Sequence, residues 1–96
     1  MSCFIIGCRA TKPGRDYVDF VEAVERLGEA SPCLDFAWIV RCDETAAAIR
    51  ERLRPHLDEG DELFVAELTG EAAWRSSSPG TGARIARLLS GERKAN

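Results

Sequence analysis

The stretch Cys33-Leu34-Asp35-Phe36-Ala37-Trp38-Ile39-Val40-Arg41-Cys42 decides how this chain folds. It follows a Ser31-Pro32 breaker and stops at the acidic pair Asp43-Glu44. Leu34, Phe36, Trp38 and Val40 share one parity, and Asp35, Ala37, Ile39 and Arg41 share the other. Successive strand side chains point to opposite faces, so this period-two placement of large apolar groups predicts a sheet with one covered face. The stretch is long for one strand, and Asp35 marks the break. A short strand near Cys33–Asp35 is expected to turn directly into a longer one over Phe36–Arg41.

A helix is expected on each side of it. Upstream, Tyr17, Phe20, Val21, Val24 and Leu27 recur at helical spacing, with Asp19, Glu22, Glu25 and Arg26 on the other face. Asp16 is the expected N-cap, and Gly28 the expected C′ residue. Downstream, Asp43 or Thr45 caps a helix whose inward residues are Ala46, Ile49 and Leu53, and Pro55 ends or kinks it. Cys3–Cys8 reads as a buried first strand and Leu63–Leu68 as the last clear one. Thr11–Arg15 is a turn with a Pro-Gly type II signal. Glu71–Trp74 reads either as an edge strand or as a docking segment, and Trp74 implies that something covers it. Beyond Arg75 the Ser/Gly-rich composition predicts a flexible tail with a short helix over Ala83–Leu89, where Ile85, Leu88 and Leu89 oppose Arg84 and Arg87.

A chain of 96 residues supports one core. We expect a ferredoxin-like domain over 1–74 followed by a basic tail over 75–96. The opening segment lacks a basic n-region and a signal-length apolar stretch, and no run reaches the ~18–20 residues of a membrane span, so a cytoplasmic protein is expected. The net charge of −3 is uneven: from Arg75 onward five basic residues face one acidic residue, +4, which leaves −7 on the rest. A basic tail can touch phosphates, but an acidic body repels polyanions. The four cysteines have no C-x-x-C spacing, and Cys3 and Cys8 would point to opposite faces of one strand, so reduced, mostly buried thiols are expected.

The chemical motifs are few. His56 is the only histidine and has no partner at metal-ligand spacing. Gly80-Thr81-Gly82 before a helix resembles a phosphate cradle, but no strand leads into it and no Lys-Ser/Thr pair follows. Asp58, Glu59, Asp61 and Glu62 lie in a polar loop, where carboxylates serve solubility.

The element order is strand, helix, strand, strand, helix, strand. It gives an α+β, ferredoxin-like βαββαβ fold: a four-stranded antiparallel sheet with two helices on one face, plus a short extra strand and a C-terminal helix. The residues within this order are Lys12-Pro13-Gly14-Arg15-Asp16-Tyr17, Cys33-Leu34-Asp35 with Trp38-Ile39-Val40, and Leu53-Arg54-Pro55-His56-Leu57-Asp58. Asp61-Glu62-Leu63 and Glu67-Leu68-Thr69-Gly70-Glu71-Ala72-Ala73-Trp74 follow. With these blocks the chain resembles the SinR family of small bacterial proteins from about Phe4 to Trp74, while the tail matches poorly.

By fold order that family is similar to the small ferredoxin-like subunit of CRISPR adaptation (CRISPR-associated protein two) and to VapD-type ribonuclease toxins. The resemblance implies a homodimer in which Glu71, Ala72, Ala73 and Trp74 cross to the partner. Some of those relatives hold a divalent cation on an aspartate at the end of the first strand. Here the expected Tyr-Asp pair is Cys8-Arg9, and a guanidinium repels Mg²⁺ rather than binding it. Two readings follow. One is a small dimeric binding or scaffold protein without an enzymatic activity or a cofactor, whose partner is another protein or nucleic acid held by Arg9, Lys12 and Arg15. The alternative is a Mg²⁺- or Mn²⁺-dependent nuclease acting on RNA or DNA, with Asp16 or Asp35 as catalytic ligand.

Overall fold

A computed structural model of the chain describes residues 1–11, 17–75 and 79–93. Strand β1 (Ser2–Arg9) precedes helix α1 (Val18–Leu27), which leads into the hairpin β2 (Glu29–Leu34) and β3 (Ala37–Cys42). Helix α2 (Ala46–Leu53) runs into a 3₁₀ turn at Arg54–His56, and β4 (Glu62–Leu68) and helix α3 (Pro79–Arg93) complete the order. The sheet is ordered β2-β3-β1-β4 with every neighbouring pair antiparallel. This α+β arrangement is compatible with a ferredoxin-like fold. Among the described residues no helix is long and apolar enough to cross a membrane.

One face of the sheet carries the main core. Phe4 and Ile6 of β1 and Trp38, Val40 and Cys42 of β3 meet Phe20, Ala23, Val24 and Leu27 of α1 and Ile49 and Leu53 of α2. The α1 residues fall at helical spacing, so one stripe of that helix is buried. The Phe20 and Trp38 rings lie 5.5 Å apart at 60°, a tilted packing favoured by the ring quadrupoles. Thr45 caps α2 by accepting a 3.1 Å bond from the Ala48 amide, as one of the two sequence alternatives anticipates.

The structure departs from the sequence expectations in several places. The central strand is covered on both faces: Ala37 and Ile39 are as buried as Trp38 and Val40. Ile39 and Cys3 pack beneath Leu88 of α3, with Ile5, Cys33, Leu68 and Leu89 around them. Helix α3 is also longer than the expected Ala83–Leu89, and it lies on the face opposite α1 and α2. Leu34 and Phe36 do not join the Trp38 face. Asp35 and Phe36 form the hairpin turn, and a register shift between Pro32 and Leu34 pairs Leu34 with Ala37. A β-bulge inserts a residue and so resets parity.

Gly28 is not a left-handed cap. Its φ of 168° is extended, and its role is close approach, because a Cβ there would press into the Arg41 carbonyl oxygen. At the other end of α1, Tyr17 occupies the N-cap position, whereas the expected cap, Asp16, lies outside the described residues. Finally, Glu71–Trp74 carries no regular secondary structure and is exposed, so the extra strand expected there does not form within the chain.

Candidate interaction surface

Directly opposed residues of antiparallel strands share a face, so the pairing registers lay out the second sheet face as rows running across the strands. Leu68, Cys3, Arg41 and Glu29 form one row, and Ala66, Ile5, Ile39 and Ser31 form the next. Helix α3 lies over these two, with Leu88 buried against Cys3 and Ile39, and its Ile85 is buried as well. Phe64, Gly7, Ala37 and Leu34 form the third row. Its two large side chains, one on each edge strand, are open to solvent, Phe64 at 67% and Leu34 at 72%. Between them a Cβ added at Gly7 would meet nothing within 4 Å. The row therefore has exposed apolar side chains at its two ends and Gly7 beside the buried Ala37 at its middle. Phe36 adds a third exposed apolar group at the hairpin turn, and its carbonyl accepts a 2.9 Å bond from the Cys8 amide.

Arg9 and Glu62 close this end of the sheet. They are a cross-strand pair of β1 and β4, and their side chains form a 3.2 Å ion pair in solvent. Asp35 lies in the β2–β3 turn at the same end. The fold thus brings Arg9, Glu62 and the Asp35-Phe36 turn to one rim of the open row. Lys12, Arg15 and Asp16 lie outside the described residues. Among the described residues no group of three or more His, Cys, Asp or Glu side chains is placed to hold a metal ion. Trp74 is 45% exposed in the segment that follows β4.

Sequence reasoning missed the polar centre of this end of the molecule. Asp61, which in sequence resembles any solubilising loop carboxylate, accepts four hydrogen bonds. Thr11 donates its amide and its hydroxyl to Oδ1, both at 2.8 Å, and the Tyr17 hydroxyl donates to the same oxygen at 3.2 Å. The Asp58 amide donates to Oδ2 at 2.8 Å. Desolvation pushes this carboxyl up, but the bonds from Thr11, Asp58 and Tyr17 prevail and lower it to about 2. Thr11 and Tyr17 flank residues 12–16, so one carboxylate gathers both ends of that segment onto the start of β4. Only the Asp58–Asp61 spacing around Gly60, whose φ of 93° needs a glycine, hinted at this turn.

The four thiols are free. Burial raises the pKa of Cys8, Cys33 and Cys42; the Asp61 charge adds to this at Cys8, while hydrogen bonding works against it at Cys33 and Cys42. Cys3 faces α3 and Cys8 packs against the main core, the opposite-face arrangement expected from their spacing.

Comparison with known proteins yields no matching family model, no matching curated protein and no matching solved structure.

Proposed function

We propose that this chain is a ferredoxin-like binding or scaffold module that acts as a homodimer, as its resemblance to the SinR family implies. One observation carries the proposal: Phe64 and Leu34, the two ends of the Phe64–Gly7–Ala37–Leu34 row, are large apolar side chains open to solvent on a sheet face that α3 covers elsewhere. A two-fold interface requires a self-complementary patch. The apolar row matches itself, and the Arg9–Glu62 rim offers each sign of charge to the opposite sign on a second copy. Glu71–Trp74 follows β4 at the end away from this row and is exposed, and in the same proposal it reaches across to the partner, where Trp74 becomes covered. Nucleic acid is the expected further ligand, through Arg9 at the rim and through Lys12 and Arg15.

Sedimentation velocity on the full chain tests the dimer. The expected result is concentration-dependent self-association weakened by Phe64→Asp and by Trp74→Ala, and a monomer at all concentrations would refute it. Labelled RNA and DNA, incubated with Mg²⁺, Mn²⁺ or EDTA across salt, test the ligand. Salt-sensitive binding without cleavage supports the scaffold reading. Metal-dependent cleavage abolished by Asp35→Asn or Asp16→Asn would replace it with a nuclease.

A further inference from the structure

We infer that the outer edge of β4 is the pairing edge of this molecule, and that it takes the same edge of a second copy, antiparallel, so that two sheets become one. This pairing rests on the self-association proposed above and places the second copy at the Phe64 end of the open row. In an antiparallel ladder, opposed residues alternately exchange both of their backbone bonds and exchange none. The Cys8 amide donates to the carbonyl of Phe36, which opposes it one step beyond the Gly7–Ala37 pair, so Cys8 turns its backbone groups toward β3. Gly7 and Arg9 therefore turn theirs toward β4, where Phe64 and Glu62 oppose them. Leu63, Val65 and Glu67 then point their amides and carbonyls away from β1, over the edge. Among the described residues no strand lies there and no backbone bond meets them.

The opposite edge of the sheet is built differently. The same alternation carried across β3 turns Glu29 and Ser31 of β2 inward and Ala30 and Pro32 outward. Pro32 has no amide to offer, its carbonyl accepts the Ser31 hydroxyl at 3.3 Å, and the register shift beyond it breaks the line of the strand. Proline and bulges are ordinary defences of an edge against strand addition. In β4, Glu62-Leu63-Phe64-Val65-Ala66-Glu67-Leu68 contains no proline or glycine and keeps an unbroken register with β1.

Symmetry and charge select the occupant. An edge that pairs antiparallel with its own copy makes a closed two-fold contact. Centred on Val65, the pairing opposes Leu63 of each copy to Glu67 of the other, so every outward amide and carbonyl finds a partner. Glu62 then faces Leu68, and nowhere does one carboxylate oppose another, which would be destabilising. Phe64 faces Ala66 beside Leu68, which covers a side chain that is 67% exposed in the single chain. An added strand of this kind is held by main-chain bonds, with side chains setting the register. Leu34, on the far edge strand, is untouched by it, so edge and face contacts are separable.

The test is residue-resolved amide hydrogen exchange on the full chain, below and above the concentration at which sedimentation velocity shows half-association. In the dilute chain the amides of Leu63, Val65 and Glu67 are expected to exchange fast while those of Phe64 and Ala66 are protected; in the associated chain all are protected. Glu67→Pro removes an outward amide without touching the β1 ladder, and Glu67→Ala removes only the side chain. The proline acts in both copies at once, so its dissociation constant is expected to exceed that of Glu67→Ala by about tenfold or more. Should Glu67→Pro unfold, which circular dichroism reports, wild-type exchange decides by itself. Outward amides that exchange freely in the associated chain overturn the edge pairing, as do outward amides already protected in the dilute chain, because the edge is then covered from within. Association weakened by Leu34→Asp but not by Glu67→Pro also overturns it and leaves the dimer, formed through the sheet face. A chain that stays monomeric at every concentration refutes the dimer reading itself.

Discussion

Two glycine-to-alanine substitutions, identical in composition, are expected to move stability in opposite directions. At Gly28 the added Cβ overlaps the Arg41 carbonyl oxygen, sits 3.0 Å from the Cys42 Cβ and lies 3.3 Å from the Arg41 carbonyl carbon. Ordinary contacts there need 3.4–4 Å, and the obstacle is β3 backbone, which no rotamer change can move aside. The chain must retreat just where Glu29 pairs with Arg41 to begin the β2–β3 ladder. Overpacking of this kind costs about 1–3 kcal/mol, and a backbone obstacle places it at about 3. The unfolded chain loses freedom with alanine, which offsets about 0.4–1 kcal/mol. The net loss is about 2 kcal/mol, a large part of the roughly 5–15 kcal/mol that holds a domain together. For a domain of this size it lowers Tm by about 8–16 °C. At Gly7 the new methyl meets nothing within 4 Å, so only the unfolded-state term remains and Gly7→Ala gains about 0.4–1 kcal/mol. Thermal unfolding of both variants beside the wild type, followed by circular dichroism at low protein concentration, is the assay. Equal shifts, or a neutral Gly28→Ala, would refute the close-approach account of Gly28.

Asp61 sets a second expectation. Its carboxyl is held at about 2, below the ordinary 3.8, so its stabilisation is fully present above 3.8 and is lost as pH falls through 2. In Tm measured from pH 7 to pH 2, Asp61→Asn should melt lower by a constant interval down to about pH 4, with the gap closing below that; a gap that persists at pH 2 counts against the hydrogen-bond account. The thiols give a third. Cys8 and Cys33, partly accessible but with raised pKa, should alkylate slowly at neutral pH, and Cys3 and Cys42 only on unfolding. Peptide mapping after timed iodoacetamide treatment checks the order, and early labelling of Cys3 would contradict its burial.

The order of elements was legible because the strong local signals agree with the fold. Ile49 and Leu53 mark the inner side of α2, Thr45 caps it, and Asp35 breaks the apolar run where the hairpin turns. What escaped depends on contacts distant in sequence. The coverage of Ile39 by Leu88 joins residues far apart in the chain, although apolar residues on both parities of Cys3–Ile6 and Ala37–Val40 were consistent with two covered faces. Parity misplaced Leu34 because a bulge shifts the period without a compositional mark. The carboxylate of Asp61 looks like its loop neighbours in sequence, and only the folded chain brings Thr11 and Tyr17 to it.

The uneven charge of the chain has a different meaning once the fold is known. Much of the basic side chemistry of the described residues is met within the chain: Arg9 by Glu62, Arg41 and Arg87 by Glu29, and Arg52 by Glu44. Arg87 belongs to the basic tail, so part of that tail's charge already has a carboxylate on the acidic body and is no sign by itself of a polyanion partner. This gives salt a discriminating role. Binding to nucleic acid weakens as salt rises, because fewer counterions are released from the phosphates. Contact between copies through the exposed Phe64 and Leu34 side chains would, by contrast, release no counterions. Self-association through these side chains should therefore persist between about 0.05 and 0.5 M salt, over the range in which nucleic-acid binding fades. Sedimentation velocity and a labelled-oligonucleotide titration across one salt series read both trends. Self-association that falls with salt as steeply as a phosphate contact would show that charge across the Arg9–Glu62 rim, rather than the apolar Phe64 and Leu34 side chains, governs how copies meet.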